Sequence, residues 1–169
     1  MFDFFFLEHF PFLKTTIKIL SGELGLQEGD ITYDFKNGKV SLGHGEDIDM
    51  VRRKLGVCPQ HNNLLGDDTC RETLRLFASL KGNLPMDHPE QTIQDAIDAE
   101  VERRLDDIDF TSKEDADKPV KTYSGGMKRK VSIAISLLGD PEVVFLGTVF
   151  LWLCVSLVVC CCNVTAVTF

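Results

Sequence analysis

The chain has 169 residues and a mass of 18.9 kDa, with 44% hydrophobic and 26% charged residues and a mean hydropathy of +0.00. These values exclude both a disordered tail and a polytopic membrane protein, and a domain of this length buries roughly 70% of its unfolded surface without metal or disulfide staples. Eighteen basic against 26 acidic residues give a net charge of −8 and a pI near 4.9, which argues against a nucleic-acid binder working through bulk charge.

In chain order, the first thirteen residues are aromatic and irregular. Asp3, Glu8 and Pro11 break any leader-like apolar stretch. Without a leader, a reduced cytosolic setting is expected for Cys58, Cys70, Cys154, Cys160, Cys161 and Cys162, none of which form a CxxC pair. A helix is predicted over Lys14–Leu20, closing near Gly22. Ile31–Phe35 and Lys39–Leu42, with Asn37-Gly38 among the glycines around them, read as a small hairpin region, an antiparallel portion near Glu28–Leu42. Asp47–Lys54 reads as a short helix and Leu55–Cys58 as a buried strand ending in Pro59-Gln60.

The next stretch is helical. Asp68–Lys81 carries Cys70, Leu74, Phe77 and Ala78 at helical spacing and stops at Gly82. A second helix is predicted with Pro89 in its first turn and one apolar stripe, Ile93, Ile97, Val101, Leu105 and Ile108. From Pro85 to Pro119 there are twelve acidic and four basic residues, equal to the whole net charge. That acid reads as a solvated face. Lys113–Lys121 reads as a polar loop. Ser124 caps a helix bearing Met127, Val131, Ile135 and Leu138, ended by Gly139-Asp140-Pro141, and Glu142–Leu146 is a strand. Twenty uncharged residues run from Val143 to Cys162. That length matches a membrane crossing, the alternative being a buried strand, Val143–Leu146, running into a non-native read-through tail.

Three short motifs carry the chemistry. Lys14-Thr15-Thr16 opens a helix as the end of a phosphate-binding loop does. Gln60 follows a strand in Gly56-Val57-Cys58-Pro59-Gln60-His61-Asn62. Ser124-Gly125-Gly126-Met127-Lys128-Arg129-Lys130 opens another helix, where a hydroxyl, unshielded backbone N–H groups and a positive dipole end suit an anion.

In this order, KTTIKILSG (Lys14–Gly22), RRKLGVCPQHN (Arg52–Asn62) and KPVKTYSGGMKRKVSIAISLLGDPEVVFL (Lys118–Leu146) resemble the nucleotide-binding domain of ATP-binding cassette (ABC) transporters, most closely subfamily A. The resemblance implies an α/β, P-loop NTPase-type cassette: an α/β core, an antiparallel β portion and a helical subdomain at about 60–138. The cassette spans 1–146, and 147–169 form a hydrophobic tail. The resemblance also implies ATP and Mg2+ as cofactors. Lys14, with Thr15 and Thr16, matches the phosphate-binding residues, Thr15 the magnesium ligand, and Gln60 the glutamine at the metal and attacking water. Ser124, Gly125 and Gly126 match the signature that closes over nucleotide held by a second cassette. Implied partners are that second nucleotide-binding domain and transporter membrane domains, at the cytoplasmic face of a membrane, with no nucleic acid.

Two departures shape the expected activity. Phe10-Pro11-Phe12-Leu13 stands where such a loop needs glycines, whose N–H groups all face the phosphate. Gly147 and Thr148 stand where the family carries a magnesium-binding aspartate and a water-activating glutamate. The expectation is a partial cassette whose parent activity is ATP-driven transport, plausibly of lipid, and which alone turns over no ATP. The alternatives are a non-catalytic interaction module and a tail-anchored membrane protein.

Overall fold

The computed structural model describes residues 12–29, 31–41, 48–82, 84, 91–110, 112–146 and 165–168, with backbone alone at 12–14, 113 and 165–168. Helix α1 is Phe12–Leu20. Strands β1 (Thr32–Phe35) and β2 (Gly38–Ser41) form the expected antiparallel hairpin, Phe35 opposite Gly38. Lys36 and Asn37 are the turn, and Gly38 opens β2 at φ 125°, a conformation that favours glycine. Helix α2 (Ile48–Lys54) passes directly into β3 (Leu55–Cys58).

Helix α3 (Cys70–Lys81) is held at both ends. Thr69 and Glu72 form a capping box, and Gly82 closes the helix in the left-handed region, its N–H donating to Ala78 O. Helix α4 (Ile93–Asp107) begins later than Pro89 suggests, because Thr92 and Asp95 form a second capping box; Pro89 lies outside the described residues. The two helices run antiparallel and are laced by Arg71–Glu102 and Arg75–Asp98 pairs. The stripe on α4 is shorter than predicted. Ile97, Val101 and Leu105 are buried, but Ile93 is 73% exposed because it sits in the first turn, ahead of the packed region.

The predicted polar loop at Lys113–Lys121 is instead two short turns of helix, α5 (Lys113–Ala116) and a 3-10 turn at Val120–Thr122. Ala116 and Val120 are fully buried and tie this segment to the helical core. Helix α6 (Gly125–Leu137) leads to β4 (Val143–Leu146), which pairs in parallel with β3, Leu55 opposite Val143. Strand β5 (Thr165–Thr168) pairs in parallel on the other edge of β4. The rest of the apolar tail, with Cys154 and Cys160–Cys162, lies outside the described residues. Among the described residues no helix is long and apolar enough to cross a membrane.

Alternation along the strands sorts the molecule into layers. Val144, Leu146 and Cys58 face α6 through Ile133 and Leu137. Val143, Phe145 and Leu55 face the hairpin, α1 and α2 through Tyr33, Phe35 and Val51, with Ile17 and Leu20 packed alongside. The opposite side of α6 (Val131, Ala134, Leu138) packs with α3 and α4 through Leu74, Ala78, Val101 and Leu105. Thus α6 is enclosed between the sheet and the helical layer. Its backbone lies directly on β3: a Cβ added at Gly56 would stand 2.0 Å from Ser136 O.

The acidic segment is not wholly a solvated face. Glu100 is buried, accepting from Arg104 Nε (2.9 Å), from Arg103 and from Gly139 N (2.9 Å). Arg104, also buried, adds Asp107 (2.7 Å) and Asp140 (2.6 Å). Burial disfavours the guanidinium charge, but Glu100 and Asp140 outweigh it and raise the pKa of Arg104. Residues counted as surface acid therefore fasten the end of α6 to α4.

Candidate functional site

The residue before Ser124 is anchored first. Tyr123 is buried, its ring tilted against Phe110 at 5.6 Å and its hydroxyl donating to Asp115 O. Burial pushes that hydroxyl up to about 12, so it stays a donor at neutral pH. Ser124 then adopts extended φ/ψ (−64°, 163°), its Oγ accepts from Met127 N at 3.2 Å, and its carbonyl accepts from Lys128 N at 3.0 Å. Gly125 and Gly126 are exposed, and a Cβ on Gly125 would meet nothing within 4 Å. First-turn N–H groups have no intrahelical acceptor, so this end presents two uncovered amides beside a hydroxyl.

Two of the basic residues that follow have partners of their own. Arg129 Nη1 donates to Pro59 O at 2.6 Å, and Lys130 Nζ lies 5.9 Å from the centre of the Phe110 ring. The first of these contacts joins α6 to the segment carrying Gln60. A second, Ser132 Oγ to Asn62 Oδ1 at 3.0 Å, lies one turn farther along. Downstream, the chain at 66–68 is held against the lead-in to α6 by Lys121 N to Gly66 O (2.8 Å) and Val120 N to Asp68 O (2.9 Å). The fold therefore brings Gln60 and Ser124–Gly126 onto one connected unit, with Gln60, His61 and Asn62 all exposed.

Lys14, Thr15 and Thr16 lie elsewhere, in the first turns of α1. That helix packs on the hairpin side of the sheet, opposite α6. Thr15 and Thr16 are exposed. Phe12, Leu13 and Lys14 are already helical, and the preceding Pro11 has no N–H to offer. The residues at Lys14 therefore do not fit a nucleotide phosphate, which needs a run of inward N–H groups ahead of the lysine. Gly147 and Thr148 lie outside the described residues. Among the described residues no group of three or more His, Cys, Asp or Glu is placed to hold a metal. Of the described motif residues, those at the Ser124 end have the uncovered amides that suit an anion.

Sequence reasoning missed Arg129, Ser132 and Asn62 as parts of this unit. Both contacts join residues 70 positions apart, and no local periodicity encodes such a pairing.

Residues 14–147 match the family model described as ABC transporter. The chain is 42% identical over 132 residues to the phospholipid-transporting ATPase ABCA3 of Rattus norvegicus, covering 78% of this chain and 7% of that protein. Among solved structures it is similar to cbiO1 of Clostridium perfringens, described as part of the ABC transporter complex cbiONQ. The TM-score is 0.59 at 23% identity, covering 79% of this chain and 48% of that one. The ATP-binding cassette MJ0796, solved as a dimer in a post-hydrolysis state with ADP and Pi, gives 0.56 at 20% identity, covering 79% and 54%. The fold is that of such cassettes, and the chain spans about half their length.

Proposed function

The chain belongs to the ABC transporter family, and we propose that it acts as the signature half of a composite nucleotide site, docking on a second cassette that holds ATP and magnesium. The observation that carries this is the Ser124 end of α6: a capped, uncovered N-terminus built on a rigid helix, while the Lys14 end lacks a cradle. Ser124 Oγ and the amides of Gly125 and Gly126 supply hydrogen bonds and a positive dipole end to an anion held by the partner. The signature half requires neither the missing glycines nor the carboxylates replaced by Gly147 and Thr148.

The wider role is inferred from the relatives. One is a phospholipid-transporting ATPase, which supports a role for this chain at the cytoplasmic face of a membrane, serving a transporter of lipid. ATP hydrolysis by the chain alone is expected to be absent, since loss of preorganised phosphate contacts removes orders of magnitude in rate. Magnesium-dependent turnover abolished by Lys14→Ala would contradict this.

The test is capture by an intact subfamily A cassette with and without ATP. Capture is expected only with ATP, and Gly126→Asp should abolish it by placing a carboxylate where the anion binds. Equal capture in both conditions, or capture indifferent to Gly126→Asp, reduces Ser124 to a helix cap.

A further inference from the structure

We propose that Asn37 is a site of spontaneous covalent modification. Its side chain closes on the Gly38 amide nitrogen to a succinimide, water opens that ring to isoaspartate and aspartate, and the isoaspartate form unfastens the hairpin from β4.

Three observations carry the reaction. Asn37 alone among the chain's asparagines precedes a glycine. Ring closure crowds the side chain of the following residue, and glycine has none to crowd. Gly38 also stands in the open, since a Cβ there would meet nothing within 4 Å. Asn37 is exposed in the hairpin turn, and its amide has no hydrogen-bond partner among the described residues. Asn62, by contrast, accepts from Ser132 at 3.0 Å and is followed by another asparagine. Only the last pair of the ladder, Phe35 with Gly38, has to fray for the Gly38 nitrogen to reach the side chain.

The Gly38 nitrogen gives up its proton and attacks Asn37 Cγ. The N–Cγ bond forms as Cγ–Nδ2 breaks, and Nδ2 leaves as ammonia with that proton. Solvent water then opens the imide. Attack at Cγ restores the original chain path as aspartate. Attack at the main-chain carbonyl of residue 37 leaves isoaspartate, whose chain runs through Cβ and Cγ and is longer by one atom. Each conversion consumes a water, releases an ammonia and adds a negative charge. Turn length sets hairpin register, so the longer path is incompatible with Phe35 facing Gly38. It also displaces Lys36, whose N–H donates to Glu142 Oε2 at 2.7 Å and ties the turn to the residue before β4. Tyr33 and Phe35 then lose their fixed place against Leu55 and Phe145.

The test needs no variant. Full-length chain is aged in mildly alkaline buffer and mapped by peptide mass, with a protein isoaspartate methyltransferase and S-adenosylmethionine as the probe for isoaspartate. Residue 37 should lose its amide while Asn62 and Asn63 keep theirs, and methyl transfer should fall on the peptide holding residue 37. Amide exchange should quicken in β1 and β2 of the isoaspartate form and stay unchanged in α3 and α4. Freshly made Asn37→Asp, with the same charge on the ordinary chain path, should keep the parent's protection. Asn37→Gln, which would have to close a larger ring, should hold its amide. Loss at Asn62 or Asn63 as early as at Asn37, aspartate without isoaspartate, or conversion of Asn37→Gln at the parent's rate overturns the reaction. Parent-like protection of β1 in the isoaspartate form, or equal loss of protection in Asn37→Asp, overturns its consequence for the hairpin.

Discussion

Among the described glycines, Gly56 leaves the least room for a Cβ. At Gly56 the obstacle is a backbone carbonyl of α6 rather than a flexible side chain, so relief requires moving a helix. Gly56→Ala should cost at least about 2 kcal/mol in urea denaturation. Gly125→Ala, pointing into open space, should stay within about 0.5 kcal/mol of the parent. Lys81 offers a residue-level test by pH. Its ammonium reaches Leu55 O at 3.3 Å, and burial, then Arg104, lower its pKa to about 8. The unfolded chain keeps that proton to about pH 10.4, so from about pH 8 upward the unfolded state binds more protons and the Lys81 contribution to stability rises. Cys70 opposes it: burial raises the thiol to about 12, the unfolded thiolate forms first, and stability falls above about pH 8.5. The comparison of Lys81→Met with the parent separates the two. Between pH 7.5 and 10 the stability difference should move in the parent's favour, and a difference constant over that range would show that Lys81 carries no such strain.

Elements were legible where a local rule sufficed. The hairpin followed from two short β-type runs close in sequence, the end of α3 from Gly82, and the start of α6 from Ser124, each a signal confined to a few residues. The start of α4 was misread because a proline suits a first turn, whereas Thr92 with Asp95 satisfies two amides reciprocally and wins. Thr92→Ala should therefore cost about 1 kcal/mol, with the loss visible as faster amide exchange in the first turn of α4. The turns at Lys113–Ala116 and Val120–Thr122 escaped because two buried residues, Ala116 and Val120, are too few to mark a period. The site was legible in the same uneven way. Ser124–Gly126 and Gln60 stand out as contiguous motifs, but the contacts linking them span 70 residues and depend on the register of α6 on β3.

At the scale of the whole molecule, charge was the least readable property. Counting signs along Pro85–Pro119 could not reveal that Arg104 turns inward to Glu100 and Asp140, while the exposed Arg103 bridges the same two carboxylates. Glu100→Gln leaves Arg104 buried with a weaker partner, and the expected cost approaches about 3 kcal/mol, measured by urea titration. The enclosed position of α6 has a different consequence. From Val131 onward none of its residues is exposed, and it supplies the inner wall of both the sheet side and the helical side. Neither side can keep its core once that wall is lost, so the two must melt as a single unit. The chain's two tyrosines happen to sit one in each, Tyr33 beside the hairpin and Tyr123 beneath the helices. With both replaced by 3-fluorotyrosine, their fluorine signals should disappear at the same urea concentration. Separate midpoints would mean that the helical side can detach from the sheet before the rest of the molecule unfolds.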